Sequence, residues 1–143
     1  MRSLPIDQLA VGDAAESRKT VSETDVYLFA GISGDFNPVH VDAEYARTTP
    51  FGARVAHGPL TLSLCAGLLG TELPGLGTVA LSNQIEYLAP VLIGDTITVR
   101  VEVAALDPDR NRATMAVTWT NQDGTEVAVG SMVVKPPRRP VSI

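Results

Sequence analysis

Two residues in one short stretch have side chains suited to proton chemistry, Asp35 and His40, set on either side of Asn37-Pro38 within Gly31 to Val41 (GISGDFNPVHV). A carboxylate and an imidazole that converge can hold one water between them, one group taking its proton and the other returning a proton elsewhere. That chemistry serves hydration and dehydration as readily as hydrolysis. Asp35 and His40 are five residues apart, an awkward spacing in any regular structure. On a helix it sets the side chains about 140° apart, and on a strand an odd separation sets them on opposite faces. Pro38 supplies the remedy. It lacks an N–H and disfavours helical dihedrals at Asn37, so the chain must break into a loop in which Asp35 and His40 can meet. Asn37 is expected to brace that loop through a side-chain to backbone bond. On spacing alone a plainer reading stands beside this one, in which Asp35 caps a turn and His40 is a satisfied surface histidine.

A second candidate is His57-Gly58-Pro59, at the entrance to a long apolar segment. Pro59 suits the first turn of a helix, where backbone N–H groups lack partners and the helix dipole favours negative charge. Gly58 lets a ligand approach the backbone, so its N–H is a natural donor to a developing oxyanion, worth about 3 kcal/mol when aligned. The alternative is that Gly58 merely permits a tight entry turn. Other chemistries are poorly supported. Histidines at 40 and 57 and the single cysteine, Cys65, match no zinc spacing, so no metal is expected. No Gly-x-Ser-x-Gly, Gly-x-Gly-x-x-Gly or Walker loop occurs, and no redox or nucleotide cofactor is expected. Cys65 lies in an apolar segment where a thiolate would be poorly stabilised, so it reads as a packing residue.

The elements that must position these residues can be read from periodicity. Ser22 caps a helix with Glu23 and Asp25 in its first turn and an apolar stripe of Val26, Leu28, Phe29 and Ile32, ending at Gly34. A short helical turn is expected over 42–46. The segment GPLTLSLCAGLLGT, residues 58–71, carries no charge and is apolar or small on every side. A helix of that kind must be buried all round. At about 20 Å it is too short to cross a membrane but suits lying across a sheet. Gly67 and Gly70 each cost such a helix about 1 kcal/mol relative to Ala, which implies close approach by a strand or a neighbouring subunit.

The second half alternates with period two: Val79, Leu81, Ile85 and Tyr87; Ile97, Val99, Val101 and Val103; Met115, Val117 and Trp119; Val127 and Val129. These predict four half-buried strands. They are separated by turn-rich segments at 90–95, 107–111 and 121–124, and such short connections predict an antiparallel meander. A fifth strand is expected over 14–21. The fold class is therefore α+β: a single hot-dog domain over residues 1–143, with a long buried central helix wrapped by an antiparallel sheet of about five strands. With no second helical layer, a partner subunit is expected to cover the far side, making at least a homodimer.

Composition agrees with a soluble domain. With 143 residues the chain can bury roughly two thirds of its unfolded surface, and 45% hydrophobic with 19% charged residues excludes disorder. The N-terminal sequence MRSLPIDQLAVGDAAE has no apolar signal core, and no window reaches the roughly 18 apolar residues of a membrane span. A cytoplasmic protein without a membrane partner is expected. A net charge of −5 speaks against nucleic acid as partner. The one cationic cluster, Lys135 with Arg138 and Arg139, reads first as a solvated Pro-rich tail; the sharper alternative is a contact for a phosphorylated, cofactor-like substrate.

Ile32-Ser-Gly-Asp-Phe-Asn-Pro-Val-His40, followed after five residues by Ala46, resembles the signature of the MaoC-like hydratases, the (R)-specific enoyl-CoA hydratases of the hot-dog superfamily. The resemblance extends through the His57-Gly58 helix entrance, the 90–95 turn and the terminal Val133-Val-Lys. It implies reversible addition of water to a trans-2-enoyl-CoA, giving the (R)-3-hydroxyacyl-CoA. Asp35 and His40 would then activate the water and protonate C2, and the Gly58 N–H would serve the thioester oxygen. Asn37 and Ser63 would support the pair, although a small hydroxyl tucked against the sheet also explains Ser63. The CoA or acyl-carrier arm belongs to the substrate, so no cofactor is implied. Three alternatives remain at this level: a (3R)-hydroxyacyl-ACP dehydratase of fatty acid or polyketide synthesis, a hot-dog acyl-CoA thioesterase, and a non-catalytic subunit, against which the intact Asp35–His40 pair argues.

Overall fold

The computed structural model describes residues 1–142. Five strands, β1 (Ala14–Thr20), β2 (Val79–Tyr87), β3 (Thr96–Asp107), β4 (Arg112–Thr120) and β5 (Glu126–Lys135), form one antiparallel sheet in the order β1-β3-β4-β5-β2. The helices are α1 (Glu23–Ser33), α2 (Pro38–Val41), α3 (Ala43–Arg47), α4 (Gly58–Ser63) and α5 (Ala66–Thr71). The α+β hot-dog arrangement expected from the sequence is present, with α4 and α5 lying against the sheet through Leu60, Cys65, Leu68 and Leu69. No helix among the described residues is long and apolar enough to cross a membrane.

Alternation builds the core where it was expected on β3 and β4. Ile97, Val99, Val101 and Val103 face inward opposite Ala113, Met115, Val117 and Trp119, with Val99 paired to Trp119 and Val101 to Val117. On β5 the phase breaks. A register irregularity beside Trp119 and Thr120 buries both Val127 and Ala128, after which Met132 and Val134 face inward and Val129 is only half-buried. A bulge adds one residue to one strand and so reverses the alternation beyond it.

The connection over 90–95 differs from the expected hairpin. β2 pairs with β5 at the far edge of the sheet, whereas β3 lies beside β1. The segment crosses the end of the helical layer, tied by Ala56 N–H to Val91 O (2.8 Å), a bridge between Val55 and Leu92, and the Asp95 carboxylate accepting from Leu92 N–H (2.8 Å). β2 is thus an edge strand, exposed over nearly its whole length rather than half-buried.

The central helical segment also differs in detail. It is two six-residue helices joined at Leu64 and Cys65, both of which keep right-handed helical dihedrals. Cys65 N–H bonds Leu62 O and Leu64 N–H bonds Thr61 O, a tightening by one residue per bond. Ser63 Oγ donates to Leu60 O (2.7 Å) and Cys65 Sγ to Leu62 O (3.1 Å), which draws the carbonyls into that tighter turn. Pro59, Ser63, Ala66 and Gly67 form an exposed small-residue face, so the segment is not buried all round within one chain. Among the described residues, nothing beyond the adjoining residues and the helix's own backbone comes within 4 Å of a Cβ built at Gly67 or Gly70.

Helix α1 begins as expected, with a capping box in which Asp25 N–H donates to Ser22 Oγ (3.2 Å) and Ser22 N–H to the Asp25 carboxylate (2.7 Å). It buries Val26 and Ala30, while Leu28 and Ile32 stand 61% and 83% exposed, contrary to the stripe read from sequence. Burial works to raise the Asp25 pKa. The Lys19 ammonium at 2.8 Å and the Ser22 bonds outweigh it and hold the carboxyl below its ordinary value. A carboxyl lowered in the folded state contributes stability above its unfolded pKa and loses it as pH falls through the folded one. Asp25→Asn is therefore expected to flatten the acid side of the stability profile, measured by urea unfolding between about pH 6 and pH 2.

Candidate active site

The loop that breaks after α1 is built from short side-chain bonds. Gly34 ends the helix in the left-handed conformation at φ 77°, its N–H bonded to Ala30 O. Asp35 N–H donates to Ser33 Oγ (3.2 Å), Asn37 N–H to Asp35 Oδ1 (3.1 Å), and Val39 N–H to Asn37 Oδ1 (3.2 Å). Two successive Asx turns thus set the path, and Pro38 then opens α2 as its first residue. That turn carries His40 inward, where it is buried.

His40 Nδ1 lies 2.7 Å from Val55 O. A carbonyl only accepts, so Nδ1–H is the donor and Nε2 is left to face Asp35 Oδ2 at 3.7 Å. That separation is too long for a direct hydrogen bond and fits one water at about 2.8 Å from both. The Asp35 side chain is 50% exposed, so the pair opens to solvent on one side. Asp35 and His40 meet across the Asn-Pro break as the spacing argument requires.

His57 is a third member that the sequence reading took only as part of the helix entrance. It is 1% exposed, its ring stacks on His40 at 3.8 Å between centroids, and Phe29 lies at 5.1 Å from it. Its Nε2–H donates to Asp35 O (2.9 Å), fixing the backbone of the residue that carries the carboxylate. A signal was available: the chain has two histidines and both lie here. His57 Nδ1 is buried with no partner among the described residues.

Asp35, His40 and His57 each offer an atom within 4.8 Å of the others, close enough to be weighed as ion ligands although their sequence spacing matches no metal motif. His57 Nε2 and His40 Nδ1 are committed to the backbone carbonyls of Asp35 and Val55, which leaves one nitrogen on each ring, His57 Nδ1 and His40 Nε2, outside those bonds.

Gly58 opens α4, next to His57. A Cβ at Gly58 would stand 2.9 Å from Tyr87 Cζ and 3.2 Å from both Cε atoms, so the ring lies flat against the α-carbon. Beside them is a cavity of about 210 Å³ lined by Phe51, Val55, Thr61, Tyr87 and Val91. Val55 joins the two halves of the site, its carbonyl holding His40 while it lines this cavity. In Gly58→Ala the half-exposed Tyr87 ring can swing outward, so the stability cost is expected to stay near 1 kcal/mol. The N–H shifts with the helix entrance, and kcat/KM should fall about tenfold or more. Calorimetry and initial rates separate the two effects.

Ser63 is not brought to the pair within the chain. Its hydroxyl donates to Leu60 O, and it lines a separate cavity of about 240 Å³ with Cys65, Leu69, Asn83 and Met132. Burial pushes the Cys65 thiol up to about 11, which keeps it protonated near neutrality and agrees with a packing role.

A helical segment laid on a five-stranded antiparallel sheet, with an Asp–His pair held at its entrance, defines a hot-dog domain of the hydratase and dehydratase class. The MaoC like domain model matches residues 10–125, and the chain belongs to that family. It is 44% identical over 140 residues to a 3-hydroxybutyryl-CoA dehydratase of Methylorubrum extorquens, spanning 97% of this chain and 88% of that one. It is 42% identical over 133 residues to an (R)-specific enoyl-CoA hydratase of Rhodospirillum rubrum, spanning 93% and 92%. The solved structure of R-hydratase PhaJ1 from Pseudomonas aeruginosa superposes with a TM-score of 0.93 at 40% identity, over 99% of this chain and 91% of that one.

Proposed function

We infer that this protein is an (R)-specific enoyl-CoA hydratase, a cytoplasmic hydro-lyase working as one domain over residues 1–143. It adds water reversibly to trans-2-enoyl-CoA to give (R)-3-hydroxyacyl-CoA. The observation that carries this reading is the 3.7 Å gap between Asp35 Oδ2 and His40 Nε2, with the histidine tautomer fixed by Val55 O. A water seated there is held by two proton acceptors on one side of the substrate. Attack of its oxygen on C3 pushes electrons through C2 into the thioester oxygen, where the Gly58 N–H donates to the enolate charge. Asp35 and His40 between them take the water's proton and deliver a proton to C2. The thioester bond is not broken. Asn37 holds the loop, and neither metal nor cofactor enters a step, since the CoA or carrier arm comes with the substrate.

The working unit is a homodimer. Edge strand β2 leaves Val79, Leu81 and Tyr87 between 45% and 54% exposed, and the small-residue face of α4 and α5 is open. Unpaired edges and exposed apolar faces invite a second copy. Purified protein is expected to remove the enoyl absorbance of trans-2-butenoyl-CoA without releasing free thiol. Thiol release would make it a thioesterase instead, and activity confined to acyl-carrier-protein thioesters would make it a dehydratase of fatty acid or polyketide assembly.

A further inference from the structure

Arg54 stands one residue before Val55, whose carbonyl receives the His40 Nδ1–H (2.7 Å). Its side chain is only 16% exposed, a depth at which a guanidinium needs partners. It finds them 31 and 27 residues earlier in the chain, pairing with Glu23 Oε1 and donating to Tyr27 Oη (3.1 Å). The central carbon of the guanidinium also lies 5.8 Å from the centroid of the Tyr27 ring. Arginine suits such a place because one planar fork can serve a carboxylate and an aromatic ring together.

The two members of the Asp35–His40 pair arrive on separate limbs. Asp35 follows directly from the end of α1, through Gly34 and the Asp35 N–H bond to Ser33 Oγ (3.2 Å). His40 is held by Val55, which accepts from its ring and donates its own N–H to Val39 O (3.2 Å). On its C-terminal side Val55 is anchored to the 90–95 connection by Ala56 N–H and Val91 O (2.8 Å). On its N-terminal side residues 48–53 form an irregular loop, exposed except at the half-buried Thr49, with Gly52 at a φ of 69°. A loop of that kind offers little anchorage. The Arg54 side chain supplies it, because Glu23 and Tyr27 both belong to α1. One helix thus carries Asp35 at its C-terminal end and, through Arg54, holds the support of His40 nearer its N-terminal end.

Resting on the hydratase reading, we propose that Arg54 is a positioning residue: by tying the Val55 segment to α1 it sets the gap between Asp35 Oδ2 and His40 Nε2 at the width of one water. It touches neither the water nor the substrate and acts through Val55 O. A displacement of about 1 Å in a positioned group can cost about 10²-fold in rate. Arg54→Met keeps an unbranched stem against Tyr27 and removes the fork. It is expected to lower kcat for trans-2-butenoyl-CoA about tenfold and to leave KM within about twofold. Arg54→Lys restores a cation for Glu23 and should recover part of the loss. Tyr27→Phe deletes one acceptor and keeps the ring, so it should give the same pattern on a smaller scale; it carries the test if Arg54→Met does not fold.

Two readouts separate positioning from a simple loss of folded protein. Added to Asp35→Asn, Arg54→Met should cost no more than about a further twofold, since the gap then no longer serves the reaction. Imidazole ¹H–¹⁵N spectra should show the His40 Nδ1–H resonance shifted or broadened in Arg54→Met, a change that does not depend on turnover. Arg47→Met breaks an exposed pair with Glu44 on α3 and is the control, expected to keep the parent's kcat and His40 signal. A parent-like kcat in Arg54→Met, an unmoved His40 signal, or the same tenfold loss on the Asp35→Asn background overturns the proposal. Failure of the unaltered protein to hydrate the thioester, with the His40 signal still moved by Arg54→Met, would instead remove the hydratase reading and leave the Arg54 tie to His40 standing.

Discussion

Asp35→Asn is expected to lower kcat/KM for a short trans-2-enoyl-CoA by about 10³-fold or more, within the range removed with a positioned acid or base. The fold should not register the change. Asparagine keeps the Oδ1 acceptor for Asn37 N–H, the 3.1 Å bond that shapes the loop, and the side chain is half exposed. His40→Gln should cost activity on the same scale, but with a stability cost of about 1 to 3 kcal/mol. It removes a buried ring stacked on His57 and replaces the rigid Nδ1–H donor to Val55 O. Because the two groups hold one water, Asp35→Asn/His40→Gln should be little worse than either single variant. Initial rates with thermal unfolding on the same samples check all three. Near-full activity in either single variant would remove the pair from the chemistry.

Gly130→Ala is the substitution expected to disturb the fold most for its size. Gly130 sits on β5 between Ile85 of β2 and Val117 of β4. A Cβ there would stand 2.5 Å from Gln84 O and 3.4 Å from Trp119 Cζ3. Gln84 O is backbone within the sheet, so no rotamer change relieves the contact and β2 must move off β5. Gly58 offers the contrast, since its close neighbour is the swinging ring of Tyr87. A cost of about 3 kcal/mol is expected, which for a chain of this size lowers Tm by about 10 °C. Since β2 is the proposed dimer edge, light scattering should also show a weakened dimer. A Tm within about 2 °C of the parent would contradict the packing described for this edge.

The central strands were legible because one face is buried along their length: period two marks Ile97 to Val103 and Met115 to Trp119 without ambiguity. β2 carries the same period at Val79, Leu81, Ile85 and Tyr87, but composition does not reveal whether the covering layer lies in the same chain, and here the strand is an exposed edge. Its partner was misread for a related reason. A six-residue connection with Pro, Gly and Asp fits a hairpin, yet bonds to Ala56 and Val55 carry this one across the helical layer. The bulge at Val127 reversed a phase that periodicity cannot follow.

At the site, the Asn37-Pro38 break predicted that Asp35 and His40 meet, because backbone chemistry local to six residues decides it. His57 escaped because it reaches Asp35 O and the His40 ring across 22 and 17 residues of sequence. No local rule links such positions. Ser63 was tied to the pair by resemblance alone, and within one chain its hydroxyl turns back to Leu60 O.

The most direct test of the central claim is the fate of the water oxygen. Trans-2-butenoyl-CoA incubated with the protein in ¹⁸O-labelled water, followed by mass spectrometry and chiral analysis, should give a product with one label on C3, an intact thioester and the R configuration. Label in a free carboxylate, or an S product, would contradict the account.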